Sequence, residues 1–282
     1  MKQSVAVLVV VITGSLAGAA SAQVRVVSDV DYVAGAEYAD KKDRLDIYVP
    51  AGARNAPVIV SIHGGGLRQG DKAGHAFVGQ RFAAAGHVTV VVNHRLSPGV
   101  THPAHIEDIA AAVAWVKRNI SQHGGDPGNL FVIGHSAGAY LAALLVLDPK
   151  YLAAHQLTPR DVRGVVPVSG FFYVDRPGVA PDRPKDTWGI DANVWKAASP
   201  GAYVSPSVPP MLLLYADGDD EWRRHQQTEF ANALGAAGQR ETEMRMIRNR
   251  THNSVWSEMA KGDDETAQAI LQFVNRRRGG TR

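Results

Sequence analysis

The run Leu130-Phe131-Val132-Ile133-Gly134-His135-Ser136-Ala137-Gly138 carries more structural information than any other segment of this 282-residue chain. Its four apolar residues suit a short buried strand, and the stretch from Ala139 to Leu147, rich in small residues and leucine, suits a helix. A serine therefore stands at the apex of a sharp strand-to-helix turn. Glycines two before and two after it fit that geometry, because a side chain at either place would collide with the adjoining strand or helix. The turn strains the backbone of Ser136 and pushes its hydroxyl out above the sheet edge. It also sets that hydroxyl at a helix N-terminus, where the dipole and the free N–H groups favour negative charge.

On either side, short apolar strands alternate with helical segments. Leu45, Ile47 and Val49 alternate with polar residues like an exposed strand in an N-terminal edge region. Val58 to Ile62 is a strand running into His63-Gly64-Gly65-Gly66, and Val88 to Val92 is a strand built almost wholly of valine. Asp71 to Ala85 reads as helix. So does the segment carrying Ile106, Ile109, Val113, Val116 and Ile120, which opens near Pro103 and closes at Gly124-Gly125. Further strands are expected at 162–168, 211–214 and 243–247, and helices at 221–234 and 265–276. Doubly apolar strands alternating with helices argue an α/β fold: a mostly parallel central sheet with helices on both faces. Residues 171–206, with glycine, proline and aromatics but no clear period, are expected to form a small cap-like insertion.

The composition, 45% hydrophobic and 20% charged, suits one globular domain over residues 23–282. Residues 1–22 read as a signal peptide: Lys2, an apolar stretch from Val5 to Ile12, and Ala20-Ser21-Ala22 as a cleavage site. The expectation is an exported protein, periplasmic or secreted, with no membrane segment after cleavage. With no cysteine at all, the fold must hold by its core alone. A formal charge of +3 does not call for nucleic acid. The cluster Arg276-Arg277-Arg278 with Arg282 reads as a solvated, frayed tail. The histidines lack metal-ligand spacing, so no metal is expected.

Acyl transfer through serine needs a base, a group to orient that base, and donors for the oxyanion. Asp219 follows the strand at 211–214, and His252 follows the strand ending at Ile247. The order Ser136, Asp219, His252, each at a strand end, is the one expected of a serine hydrolase built on such a sheet. Asp217 and Asp220 are rivals for the acid, since loop aspartates commonly bond their own backbone. The glycine run after Ile62 lets bare N–H groups approach a substrate oxygen.

His63-Gly64-Gly65-Gly66, Arg95-Leu96-Ser97-Pro98 with Pro103-Ala104 and Asp108, Gly124-Gly125-Asp126-Pro127, and Gly134-His135-Ser136-Ala137-Gly138 occur in that order. In these motifs the chain, from about Leu45 to Phe273, resembles the α/β-hydrolase superfamily. The likeness is to its hormone-sensitive-lipase-like and small bacterial carboxylesterase branch, closest to the compact feruloyl-esterase, formamidase and acetyl-ester-hydrolase relatives. The resemblance implies Ser136 as nucleophile, His252 as base, Asp219 as its orienter, and the N–H groups of Gly65, Gly66 and Ala137 as oxyanion hole. His63 and His135 would support the site from behind, and no cofactor would be needed. Three positions depart from the pattern: Leu67 for an aromatic residue, Gly99 for Glu, and Asp220-Glu221-Trp222 after the acid.

The implied activity is hydrolysis of small carboxylic esters through an acyl-enzyme, with a small-molecule ester as the only expected partner and the oligomeric state open. Two alternatives keep the fold: an aryl-formamide or short-peptide amide hydrolase with the same triad, and a non-catalytic binding module. Trp188, Trp195 and Phe171-Phe172-Tyr173 read either as the wall of an acyl or aryl pocket or as the ordinary interior of the cap.

Overall fold

The computed structural model describes residues 23–279 except 34, 36, 37, 39, 177 and 179–184. The expected leader, residues 1–22, lies outside the described residues, as do Arg282 and part of the expected cap.

The chain opens with β1 (Val24–Asp31), β2 (Arg44–Pro50) and β3 (Ala56–Ile62), then α1 (Ala76–Ala84) and β4 (Val88–Val92). The middle holds α2 (Ala104–Asn119), β5 (Gly125–His135), α3 (Ala137–Leu147), the short α4 (Lys150–Ala153) and β6 (Gly164–Val168). Two short helices, α5 (Lys185–Trp188) and α6 (Ala192–Ala197), precede β7 (Met211–Gly218) and α7 (Glu221–Ala236). The last elements are β8 (Thr242–Thr251), α8 (Ser254–Ser257) and α9 (Glu265–Arg277).

The strands form one sheet in the order β1-β2-β4-β3-β5-β6-β7-β8. β1 and β2 run antiparallel to their neighbours, and from β4 to β8 every pairing is parallel. The two-residue period of the strands divides the core. Val58, Val60 and Ile62 face the layer of α2 and α3, whereas Ile59, with Phe131 and Ile133 of β5, faces the layer of α1 and α9. Every residue of α3 is buried, which explains why its sequence has no polar face.

Three expectations need correction. The exposed edge strand is β1, inside the expected edge region but not named there as a strand; β2 lies between β1 and β4 with six of its seven residues buried. Its polar positions are satisfied within the fold: Asp46 binds the ammonium of Lys72 at 2.7 Å. β8 extends to Thr251, four residues past the expected end, and delivers His252 directly. Finally, Arg276 and Arg277 are not a frayed tail: both reach Glu243 of β8, at 2.7 and 3.1 Å, and tie α9 to that strand.

Because β3 pairs on one side with β4 and on the other with β5, chain connections leave it in opposite directions, and a crevice opens at the carboxyl ends of the strands. The register sets Ile62 beside Gly134, so the glycine run after β3 and the turn after β5 are neighbours. Beneath them lies a row of buried histidines: His63 stacks on His94 at 4.5 Å, and His94 meets His105 edge-on at 6.3 Å. Burial pushes His63 down to about 3 and His94 and His105 down to about 4, with a neighbouring histidine adding to the effect in each case.

Two outcomes follow from this framework. A Cβ at Gly134 would press into the Gly138 carbonyl, and one at Gly138 into the Ile62 carbonyl, whereas one at Gly235 of α7 would meet nothing. In urea unfolding, Gly134→Ala and Gly138→Ala should each cost about 2–3 kcal/mol, while Gly235→Ala should gain about 0.5–1 kcal/mol. The second outcome concerns pH. The buried histidines are neutral when folded but protonate near the ordinary value of 6.5 when unfolded, so the unfolded state binds more protons below that pH. Stability should hold above pH 6.5 and fall as pH drops from there toward 4, by about 1.4 kcal/mol per pH unit per ring. Urea midpoints measured across that range check the slope.

Candidate active site

β5 ends at His135 and α3 begins at Ala137, leaving Ser136 alone to make the turn. Its φ of 54° and ψ of −115° lie outside the comfortable regions for a side-chain-bearing residue. Its N–H is tied to the Val168 carbonyl at 2.9 Å, and its own carbonyl accepts from the Tyr140 N–H at 3.1 Å. The flanking glycines let α3 lie directly against β3 and β5, and that packing enforces the turn. The hydroxyl therefore points into the crevice.

Two strands away, β7 ends in a tight turn that carries Asp219, 3% exposed. Its Oδ1 accepts from His252 Nδ1 at 2.7 Å, and its Oδ2 accepts from the Ser169 hydroxyl at 2.5 Å and the Ala216 N–H at 2.9 Å. Burial alone would raise this carboxyl, but the hydrogen bonds from His252, Ser169 and Ala216 outweigh it and hold the group below the usual carboxylate range. An ionised carboxylate only accepts, so the proton of His252 sits on Nδ1 and Nε2 is bare. That bare nitrogen lies 3.0 Å from Ser136 Oγ and accepts its hydroxyl proton. Such a chain can draw the proton from a serine oxygen as that oxygen attacks an electrophile.

The rival acids take other places. Asp217 accepts from the N–H groups of Asn249 and Arg250, at 2.9 and 3.0 Å, and so fixes the strand end that carries His252. Asp220 is exposed and begins α7.

His135 also works from behind the site. Its Nε2–H donates to the backbone carbonyl of His252 at 2.7 Å, and its ring lies 4.8 Å from the His252 ring. Burial, with His252 nearby, pushes it down to about 3, so it stays neutral and cannot act as a second base near neutral pH. His63 lies wholly buried under the glycine loop, its Nδ1 2.8 Å from the Gly64 carbonyl. Gly65 and Gly66 both take positive φ, 115° and 65°, which only glycine adopts without strain. The Gly65 carbonyl turns away to accept from Arg68 and Gln69, both at 3.1 Å. Among the described residues, nothing accepts from the N–H groups of Gly65, Gly66 or Ala137.

Ser136 and His252 open onto a cleft of about 860 Å³ that Gly64, Gly65 and Gly66 also line. Among the described residues, the expected aromatic set does not line it. Trp188 is buried, donates to the Tyr140 hydroxyl at 3.4 Å and meets Phe171 edge-on, while Phe172 stacks on Phe230 at 3.9 Å. These rings are interior packing. The cleft is walled instead by His75 and Phe77, at the start of α1, and by Trp256. The sequence reading missed this wall because α1 and α8 lie far apart in the chain and meet only after folding.

Ser169 was missed too. It is fully buried at a left-handed φ of 50°, and Arg223 donates to its carbonyl at 2.9 Å. Only the adjoining Val168-Ser169-Gly170 step, at a strand end, hinted at it. Among the described residues, no cluster of three or more His, Cys, Asp or Glu side chains is arranged to hold a metal, and no helix is long and apolar enough to cross a membrane.

Residues 45–171 match the BD-FAE family. The chain is 31% identical over 242 residues to esterase LipQ of Mycobacterium tuberculosis, covering 75% of this chain and 53% of that protein. It is 34% identical over 193 residues to the probable carboxylic ester hydrolase LipM of the same organism, covering 64% and 45%. The chain thus spans about half the length of the curated relatives it matches. Among solved structures, esterase B of Lactobacillus rhamnosis superposes with a TM-score of 0.75 at 20% identity, covering 90% of this chain and 87% of that one. Esterase 2 of Thermogutta terrifontis, with propionate bound, gives 0.71 at 24% identity, covering 91% and 94%. Strand order, the serine turn and these likenesses together give the chain the α/β-hydrolase fold, and the relatives and neighbours it resembles are esterases.

Proposed function

We propose that this protein is a serine hydrolase of small carboxylic esters, working through Ser136, His252 and Asp219. The observation that carries the reading is the His252 ring, which spans 2.7 Å to a buried carboxylate and 3.0 Å to the strained serine. Ser136 Oγ attacks the ester carbonyl carbon while its proton passes to His252 Nε2. The carbonyl oxygen becomes an oxyanion and takes hydrogen bonds from Gly65, Gly66 and Ala137. As the tetrahedral adduct collapses, His252 returns the proton to the departing alkoxide, leaving an acyl-serine. Water, deprotonated by the same nitrogen, then releases the acid and restores the hydroxyl. Asp219 stays anionic throughout, holds the imidazole in the tautomer the first step needs and stabilises the imidazolium.

Ser169 acts through Asp219. Its hydroxyl and the Ala216 N–H occupy Oδ2, so the carboxylate cannot rotate and Oδ1 stays aimed at His252. Export follows from the leader pattern of residues 1–22.

Purified protein should hydrolyse p-nitrophenyl acetate, react at Ser136 with one equivalent of a fluorophosphonate, and turn over N-formyl aryl amides more slowly. Ser136→Ala should lower kcat by about 10⁶ and Asp219→Asn by about 10⁴, with Asp217→Asn costing less than about tenfold. Absence of labelling in folded protein would sink the reading in favour of a binding module, and a crippling Asp217→Asn would overturn the choice of acid. Ser169→Gly separates support of the carboxylate from support of the fold. Glycine relieves the left-handed backbone, so thermal stability should hold or rise by up to about 1 kcal/mol. In the same variant kcat should fall about tenfold with KM unchanged, on the scale of one hydrogen bond to a charged group. Stability and kcat falling together would mark Ser169 as merely structural.

A further inference from the structure

The wall of the cleft is a continuous row of rings that begins at the base. His252 lies 4.8 Å from His135, His135 stacks on Trp256 at 5.5 Å, and Trp256 meets His75 at 6.1 Å, with Phe77 a further 6.0 Å on. His252 Nε2 has to hand its proton to the departing oxygen, so the alcohol part of an ester lies on this side of Ser136 and along this row. The acyl part is left the other side. This step rests on the esterase reading above.

One group on that wall has its hydrogen fixed by chemistry. The Trp256 indole Nε1 lies 2.8 Å from His75 Nδ1, and an indole N–H can only donate. His75 Nδ1 therefore accepts, and the proton of the neutral ring sits on Nε2. Burial, reinforced by His63, pushes His75 down to about 4, so the ring stays neutral at ordinary pH. Among the described residues nothing accepts from His75 Nε2, and that atom is not sealed away from solvent. The ring is held from both sides, by Trp256 on Nδ1 and by the His63 ring 5.7 Å away. It is an oriented donor at the cleft with no acceptor of its own.

We infer that His75 is a specificity-determining residue, whose Nε2–H donates to an uncharged oxygen on the leaving alcohol, a hydroxyl, ether or carbonyl set apart from the ester itself. An anionic group fits less well. A neutral donor gives no charge to offset its desolvation, and Arg68, at the mouth of the same cleft, is already paired with Asp186 at 2.7 Å. The half-buried ring of Phe77, which lines the cleft beside this donor, suits a ring-shaped or planar alcohol, with the His75 donor choosing among those of similar shape.

Two acetates of fused bicyclic alcohols test this: 4-methylumbelliferyl acetate, whose leaving group carries a distal carbonyl oxygen, and 2-naphthyl acetate, which has nearly the same shape without it. Rates are normalised to sites titrated with a fluorophosphonate, so misfolded molecules are not counted, and each variant is compared with the parent protein on the same ester. His75→Phe should lower kcat/KM on the umbelliferyl ester about tenfold, the scale of one lost hydrogen bond, and on the naphthyl ester several times less. His75→Gln, which keeps an N–H donor, should recover part of that difference. Trp256→Phe, which frees Nδ1 and lets the proton move between the ring nitrogens, should narrow the difference while His75 is still present. Equal losses on the two esters in His75→Phe would overturn the inference and leave the esterase reading standing. Turnover of neither ester by the parent protein would remove the esterase reading itself.

Discussion

The close approach of α3 to β3 and β5, with no side chain between them at residues 134 and 138, is the constraint on which the site depends. It forces Ser136 to turn the chain alone, at φ 54°. From that turn follow the outward hydroxyl, the free N–H of Ala137 at the start of the helix, and the position of both beside the glycine loop that leaves β3. The cost of that backbone conformation is carried by burial around it, since α3 is buried along its whole length.

The same device recurs around the crevice. Leu67 after the glycine run, Ser169 after β6 and Asn249 near the end of β8 also hold left-handed φ, at 65°, 50° and 55°, without being glycine. Each is pinned by a backbone bond: Leu67 through its carbonyl to Ser97, Ser169 through its N–H to Leu214, and Asn249 through its N–H to Asp217. Strain of order 1–2 kcal/mol per residue gathers where four loops must present groups to a single point, and the parallel sheet supplies the rigidity that sustains it. Leu67, buried where the relatives implied by the motifs carry an aromatic ring, anchors the glycine loop downward into the core rather than reaching into the cleft.

The electrostatics follow the same division between surface and interior. Asp219 is charged because three donors reach it, and the buried histidines are neutral because burial disfavours the imidazolium more than the few acceptors near them favour it. His135 shows how the two are joined: a neutral ring that cannot compete for protons near neutral pH still holds the backbone of His252.

Much of this was legible in the chain as written. Apolar runs of four or five residues between helical periods gave the parallel sheet and the order of its elements, because a strand buried on both faces has no polar positions to offer. The glycines of the serine turn, and the placing of Ser136, Asp219 and His252 after three separate strand ends, named the three residues that the fold joins by hydrogen bonds. Rules of local geometry reach that far: a tight turn needs glycine, and a strand end is where a side chain can project. Everything that depends on which distant segments touch was decided by packing. Nothing in the sequence around Ser169 says that its hydroxyl meets Asp219, 50 residues on. The indole of Trp256 meets His75 across 181 residues. The aromatic residues of 171–173 and 188 could equally have faced substrate or core, and only the arrival of Tyr140 and Phe230 beside them turned them inward. Local sequence dictates backbone conformation because sterics act between neighbours. The partner of a buried polar or aromatic group is set by the sheet order, which brings residues together irrespective of their separation along the chain.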